Sequence, residues 1–245
     1  MWKTIHGAVQ GRSHMREGTP GQDRTYSCVS DDVTCIALAD GAGSEALSHV
    51  GAERAVQAGG AYLCAHFAEF CQPAADLKAL GQQLVDFVCQ QLVQAAREVG
   101  VEDIRSLSST LLLVAVKDEQ LVSVHIGDGV VAAVRAGKTE VLSAPKNGEY
   151  LNVTYFTTSK NVQEGMDIYC GPVEDIDALV LMSDGSGDNF YDRRQRKVVP
   201  ILAEIVQKLN RMNDSQAEMQ LQGLLKYIAE QNTQDDCSLA LLIRK

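Results

Sequence analysis

Four short acidic turns are spread along the 245-residue chain: Gln22-Asp23, Ala39-Asp40-Gly41-Ala42-Gly43, Ser183-Asp184-Gly185 and Asp235-Asp236. Carboxylates are hard oxygen ligands. Several of them drawn from distant segments can converge on divalent cations when each is held at the end of a rigid strand. Acid-glycine pairs also occur in ordinary turns, so one such turn says little, and it is the set that implies an oxygen-ligand metal site. Gly41, Gly43, Gly185 and Gly187 would let the main chain come close to a ligand.

The residues beside the acids suggest the elements that hold them. Residues 34–39 run apolar into Asp40, and 178–183 run apolar into Asp184, so both segments read as buried strands. The Ala-, Glu- and Gln-rich stretch 44–70 and the recurrence of Leu77, Leu80, Leu84, Phe87, Val88 and Leu92 predict two amphipathic helices. Aliphatic runs at 110–116, 121–126 and 130–134 predict strands whose short connections, Gly127-Asp128-Gly129 among them, suit antiparallel hairpins. Residues 136–172 are irregular and polar, with Tyr150, Tyr155 and Phe156, and read as a loop or short lid. Helical spacing returns at Ile201, Ile205 and Leu209 and at Leu221, Leu224, Leu225 and Ile228, before a last strand over 238–243. Grouped strands and paired helices favour an α+β fold of stacked antiparallel sheets with helices outside, in one domain spanning 1–245.

Composition narrows the function classes. A hydrophobic share of 45% supports a sizeable core, and no apolar run approaches the ~18 residues that span a bilayer. The start, Met1-Trp2-Lys3-Thr4-Ile5-His6, has no apolar signal core, which suggests a soluble, cytoplasmic protein. A formal charge of -10 argues against a general grip on nucleic acid, which needs clustered Lys and Arg. The one basic cluster, 193–197, reads as a solvated loop. The 7 cysteines show no CxxC spacing and read as buried thiols.

In chain order, Gln22-Asp23, Asp40-Gly41-Ala42-Gly43, Ser108-Ser109-Thr110, Ile126-Gly127-Asp128, Ser183-Asp184-Gly185 and Asp235-Asp236-Cys237-Ser238 resemble the motifs of the type 2C (PPM) metal-dependent protein serine/threonine phosphatases, in a bacterial-type single-domain form. No one motif is specific; the order and spacing together are. The resemblance implies a four-layer αββα sandwich, two antiparallel sheets flanked by helix pairs. It also implies two Mn²⁺ or Mg²⁺ ions with a third, weaker position.

Carried over by position, Asp40 would bridge both ions, Asp184 and Asp235 would complete one, and the Gly41 carbonyl would serve the other. Asp23 would hold a metal or its water, and Asp128 would face the third position. Asp40 and Asp184 are then the central catalytic acids. The implied reaction is hydrolysis of phosphoserine and phosphothreonine monoesters by a hydroxide bridging ions roughly 4 Å apart. The implied substrates are phosphorylated proteins, a kinase or its targets, met by a monomer. No cysteine is followed six positions later by arginine, which argues against cysteine-dependent phosphate chemistry.

The chain also departs from the family pattern. The arginine expected five residues before the first acid is replaced by Gly18, so Arg12, His14, Arg16 or Arg24 would have to hold phosphate, and Arg16 is preferred. The turn at Gly127-Asp128-Gly129-Val130 lacks the usual Ser-Arg. A catalytically weak phosphoprotein-binding or regulatory module of the same fold is the alternative. His14 and His125 are candidate proton donors, although a histidine in an apolar strand such as His125 is more often a core residue. Strand alternation lets only one of Asp235 and Asp236 face a metal, and alignment from Cys237-Ser238 assigns Asp235.

Overall fold

The computed structural model describes residues 1–146 and 154–245. Strands β1 (Trp2–Val9), β12 (Cys237–Arg244), β9 (Ile176–Met182), β6 (Val130–Arg135) and β7 (Lys138–Ser143) form one five-stranded sheet in that order, and β10 (Tyr191–Asp192) pairs with β11 (Lys197–Val198) in a separate short ribbon. Strands β2 (Arg24–Ser30), β3 (Val33–Ala39), β4 (Leu111–Lys117), β5 (Gln120–Ile126) and β8 (Met166–Pro172) form the other. All pairings in both sheets are antiparallel.

The central strands read as continuous apolar runs because both of their faces are covered. On β3, Ile36 and Leu38 point between the sheets, while Cys35, Ala37 and Ala39 point toward helices α2 (Ser48–Phe70) and α3 (Leu77–Val99). Helices α6 (Ile201–Asn210) and α7 (Asp214–Gln231) cover the outer face of the other sheet through Leu202, Val206, Leu221 and Leu225. The result is the layered αββα arrangement. Burial of Leu84, Val88 and Leu92 along α3 contributes about 1.5–3 kcal/mol each. Asp76 caps that helix by accepting the Ala79 amide at 3.0 Å.

Three features differ from the sequence-based expectation. Strands β5 and β6 are not a hairpin: each pairs in a different sheet, and the link between them crosses the sandwich with Gly127 at φ +116, a left-handed conformation. Hydrophobic pattern alone cannot distinguish a hairpin from a crossover. Within 136–172, β7, α4 (Val162–Gly165) and β8 are regular. Both strands lie at sheet edges and carry polar residues such as Lys138, Thr139 and Asp167, which makes them look like loop in sequence. The part of that region at 147–153, with Tyr150, lies outside the described residues. Finally, Arg12–Glu17 forms a short helix, α1, that ends at Gly18 with φ +68. Among the described residues, no helix is long and apolar enough to cross a membrane.

Candidate active site

Strand register brings the acidic turns together. Arg24 pairs with Ala39, so Asp23 just before β2 and Asp40 just after β3 leave their sheet at the same end. Met182 pairs with both Leu239 and Val130, so Asp184, Asp235 and Asp128 emerge together from the other sheet. The two groups meet at one end of the sandwich, where the Asp40 carboxyl feels the charges of Asp23, Asp184 and Asp235.

Local hydrogen bonds hold each acid in place. The Asp40 amide donates to the Thr110 hydroxyl at 2.8 Å, and the Thr110 amide donates back to the Asp40 carbonyl at 2.8 Å. Gly41 bridges to Ser109, and the Ala42 amide donates to the Ser108 carbonyl at 2.9 Å, which fixes the turn beyond Asp40. Asp184 opens helix α5 (Asp184–Phe190) and accepts the Gly185 amide at 2.6 Å. Gly185 has to be glycine: a Cβ there would stand 2.1 Å from the Asp236 carbonyl oxygen. Asp128 accepts the Thr154 hydroxyl at 2.6 Å.

The crowding has electrostatic consequences. Asp23 is 3% exposed, and neither of its oxygens has a hydrogen-bond partner. Burial first, and then the charges of Asp236 and Asp184, push it up to about 7, against a partial pull from the nearby Ser238 and Ser183 hydroxyls. Burial, then Asp235 and Asp128, push Asp184 up to about 6. Asp40 is raised well above the usual carboxylate range, by burial first and then by Asp23, Asp184 and Asp235. Asp235 is also raised, chiefly by burial.

None of these four acids has Lys or Arg among the causes of its shift. Asp23 is buried, Asp40 and Asp184 are partly buried and Asp235 is exposed; carboxylates crowded in this way without a Lys or Arg partner take up protons or bind metal. An all-oxygen donor set with orphaned buried oxygens fits hard divalent cations of the Mg²⁺ and Mn²⁺ class. Asp40 feels the charges of Asp23, Asp184 and Asp235, and Asp128 acts on Asp184 and Asp235.

Asp236 faces elsewhere. It is 2% exposed, and its Oδ1 accepts the Gly11 amide at 2.6 Å and the His14 Nδ1–H at 2.9 Å. Its Oδ2 accepts the Gln22 amide and, at 3.4 Å, the Asp23 amide. Asp236 therefore pins α1 and the Asp23 turn to the start of β12. Sequence reasoning did not foresee this link, because its partners lie more than 200 positions away and no local pattern reports it.

The arginines near the site are already engaged. Arg12 donates through Nε and Nη2 to the Thr233 carbonyl at 3.1 and 2.7 Å. Arg24 donates to the Gly21 and Asp23 carbonyls at 2.9 and 2.7 Å and pairs with Glu53 at 3.4 Å. Arg16 is exposed on α1; its Nη2 donates to Gln234 Oε1 and its Nε to the Arg12 carbonyl at 3.3 Å. Gly18, which stands where an arginine was expected, is the left-handed cap of α1 with nothing within 4 Å of where its Cβ would be. His125 is fully buried between the sheets, its Nδ1 bonded to Ser143 Oγ at 2.7 Å, and burial lowers it to about 4. It is a core residue, remote in character from proton transfer to solvent-facing groups.

Comparison with known proteins gives a consistent picture. Residues 10–226 match the family model described as Protein phosphatase 2C. The chain is 27% identical over 187 residues to the "Probable protein phosphatase 2C 80" of Arabidopsis thaliana, covering 75% of this chain and 41% of that protein. It thus spans about two fifths of the length of that curated relative. A serine/threonine phosphatase from S. agalactiae superposes with a TM-score of 0.66 at 18% identity, covering 100% of both chains. Serine/threonine phosphatase Stp1 from Staphylococcus aureus superposes at 0.67 and 14% identity, covering 100% of this chain and 96% of that one. At such identities the likeness is one of fold.

Proposed function

Because the chain belongs to the protein phosphatase 2C family, we propose that it is a divalent-cation-dependent phosphomonoesterase acting on phosphoserine and phosphothreonine in proteins, such as a kinase or its targets in the cytoplasm. The convergence of Asp23, Asp40, Asp184 and Asp235, with both Asp23 oxygens unpartnered, supports this reading most directly. Asp23, Asp40, Asp184, Asp235 and the Gly41 carbonyl would hold two ions, Mn²⁺ or Mg²⁺, and Asp128 would serve a third. When bound, these cations supply Lewis acidity toward water and phosphate, so that no protein nucleophile is required.

The chain's own groups do the positioning. The reciprocal bonds between Asp40 and Thr110 keep the Asp40 carboxylate at a fixed place at the end of β3. Asp236 holds the His14 ring through Nδ1, which leaves Nε2 to donate a proton to the departing seryl or threonyl oxygen. Burial lowers the His14 pKa, but the Asp236 hydrogen bond and the charges of Asp236, Asp235 and Glu17 outweigh it, so the ring stays protonated to higher pH than usual. Arg16, bonded to Gln234 beside Asp235, would turn its guanidinium to phosphate at the rim.

A second reading, a catalytically weak phosphoprotein-binding or regulatory module, is favoured by the engagement of Arg12, Arg16 and Arg24 with protein acceptors. Hydrolysis of p-nitrophenyl phosphate with and without Mn²⁺ separates the two. Chelator-sensitive turnover supports the phosphatase; its absence in a folded, Mn²⁺-loaded protein supports the binding module.

A further inference from the structure

Away from the acid cluster, three cysteines from three elements meet beneath helix α2. Cys28 and Cys35 are register partners across the β2–β3 pair, and Cys64 on α2 packs onto them. Their Sγ atoms all lie within 4.8 Å of one another, with Cys28 and Cys64 3.6 Å apart. An ion held at about 2.3 Å from each thiolate separates the sulfurs by roughly 3.8–4.0 Å in tetrahedral or trigonal geometry. The triad is therefore within small side-chain adjustments of a three-thiolate site. We propose that Cys28, Cys35 and Cys64 bind one thiophilic cation of the Zn²⁺ class, at a site separate from the oxygen-ligand cluster.

The surroundings suit such a role. Cys35 and Cys64 are buried, whereas Cys28 is half-buried and would offer an entry path for the ion. Gly60 lies one turn before Cys64 on α2, and a Cβ there would sit 3.4 Å from Cys28 Sγ, so glycine leaves that sulfur less covered. In the metal-free thiols Cys35 Sγ donates to the Ile36 carbonyl at 3.6 Å and Cys64 Sγ to the Val33 carbonyl at 4.0 Å, and metal binding would exchange these weak bonds for metal–sulfur bonds. Within the trio the shared thiol hydrogen bonds lower Cys28 but raise Cys35 well above the usual thiol range and push Cys64 up to about 12, so Cys28 would supply the first thiolate and the metal would have to displace the protons of the other two. On binding, the remaining thiol protons pass to solvent.

Ligand chemistry keeps the two sites apart. Cys28 lies five residues beyond Asp23 and Cys35 five before Asp40, about 16 Å along the same strands at the usual rise. Thiolates select soft and borderline ions, and carboxylates select hard ones. The bound ion would clip the β2–β3 pair to α2 at the end opposite the acids.

Titration of the full chain with Cd²⁺, in a phosphine reductant and excess Mg²⁺ to fill the oxygen site, tests this. The proposal expects an ultraviolet sulfur-to-metal charge-transfer band that saturates at one Cd²⁺ per chain. The band should survive Cys71→Ser, and its affinity should fall at least about tenfold in Cys28→Ser, a half-buried, near-isosteric change whose folding is checked by circular dichroism. Absence of the band, or a band unchanged in both Cys28→Ser and Cys35→Ala, would overturn it. So would a Cys28–Cys64 disulfide, seen by mass spectrometry, as the only cross-link formed when the protein is isolated with Zn²⁺ present and no zinc retained.

Discussion

The Gly11 amide donates to Asp236 Oδ1 at 2.6 Å, across 225 positions of sequence. Together with the bonds from His14, Gln22 and Asp23, this makes Asp236 a structural carboxylate and leaves its neighbour Asp235 to face Asp40 and Asp184. The two adjacent acids should therefore fail in different ways when replaced. Asp236→Asn offers one acceptor oxygen where two are used, and should cost roughly 2–4 kcal/mol of stability in thermal or denaturant unfolding. Asp235→Asn should leave stability intact and weaken Mn²⁺ binding measured by calorimetry. A metal complex with Asp236 coordinated and Asp235 turned to solvent would reverse the assignment.

Asp40 feels the charges of Asp23, Asp184 and Asp235 together and is the candidate ligand shared between two ions. Asp40→Asn should abolish turnover while leaving the unfolding transition cooperative. Retention of more than about a tenth of the wild-type rate, a barrier change of only ~1.4 kcal/mol, would rule out the bridging role.

Asp23, raised to about 7, makes metal-free stability depend on pH. In the folded chain its carboxyl holds a proton that the unfolded chain releases near the ordinary value of 3.8. Its contribution is full below that value and is lost as pH rises through about 7. The buried His125, lowered to about 4, acts in the opposite sense, since its contribution is present at neutral pH and lost as pH falls. Comparing Asp23→Asn with wild type cancels the His125 contribution. In a chelator at pH 8, Asp23→Asn should be the more stable by roughly 2–4 kcal/mol, with the advantage vanishing near pH 4. Equal stability of the two proteins at pH 8 would show that Asp23 carries no such strain.

His14 is tested by the choice of leaving group. p-Nitrophenolate departs without a proton, whereas a seryl alkoxide needs one. His14→Gln should lower kcat on a phosphoserine peptide by roughly 10²-fold or more and change p-nitrophenyl phosphate turnover little. Equal losses on both substrates would instead point to displacement of Asp236.

For Arg16, steady-state kinetics decide between capture of phosphate and a solvated helix residue. Capture predicts a several-fold higher KM in Arg16→Ala with kcat largely kept. Unchanged KM and kcat would leave phosphate held by the metal site alone.

The sequence by itself determined the strands that end in Asp40 and Asp184, the paired helices, and the six motifs whose order marks the family, because these are local patterns of period and spacing. It also carried the placement of Asp40 and Asp184, since each follows directly on an apolar strand. Tertiary structure alone decided which sheet each strand joins: the crossover at Gly127, the edge strands β7 and β8, and the helix α1 that Gly18 ends have no distinctive pattern, because polar edge strands and short capped helices owe their form to what they pack against. It also decided that Asp236 turns inward onto Gly11 and His14, and that Cys28, Cys35 and Cys64 converge. Both depend on antiparallel register bringing remote segments within bonding distance, and register is set by the burial of whole faces, which no short stretch of sequence records.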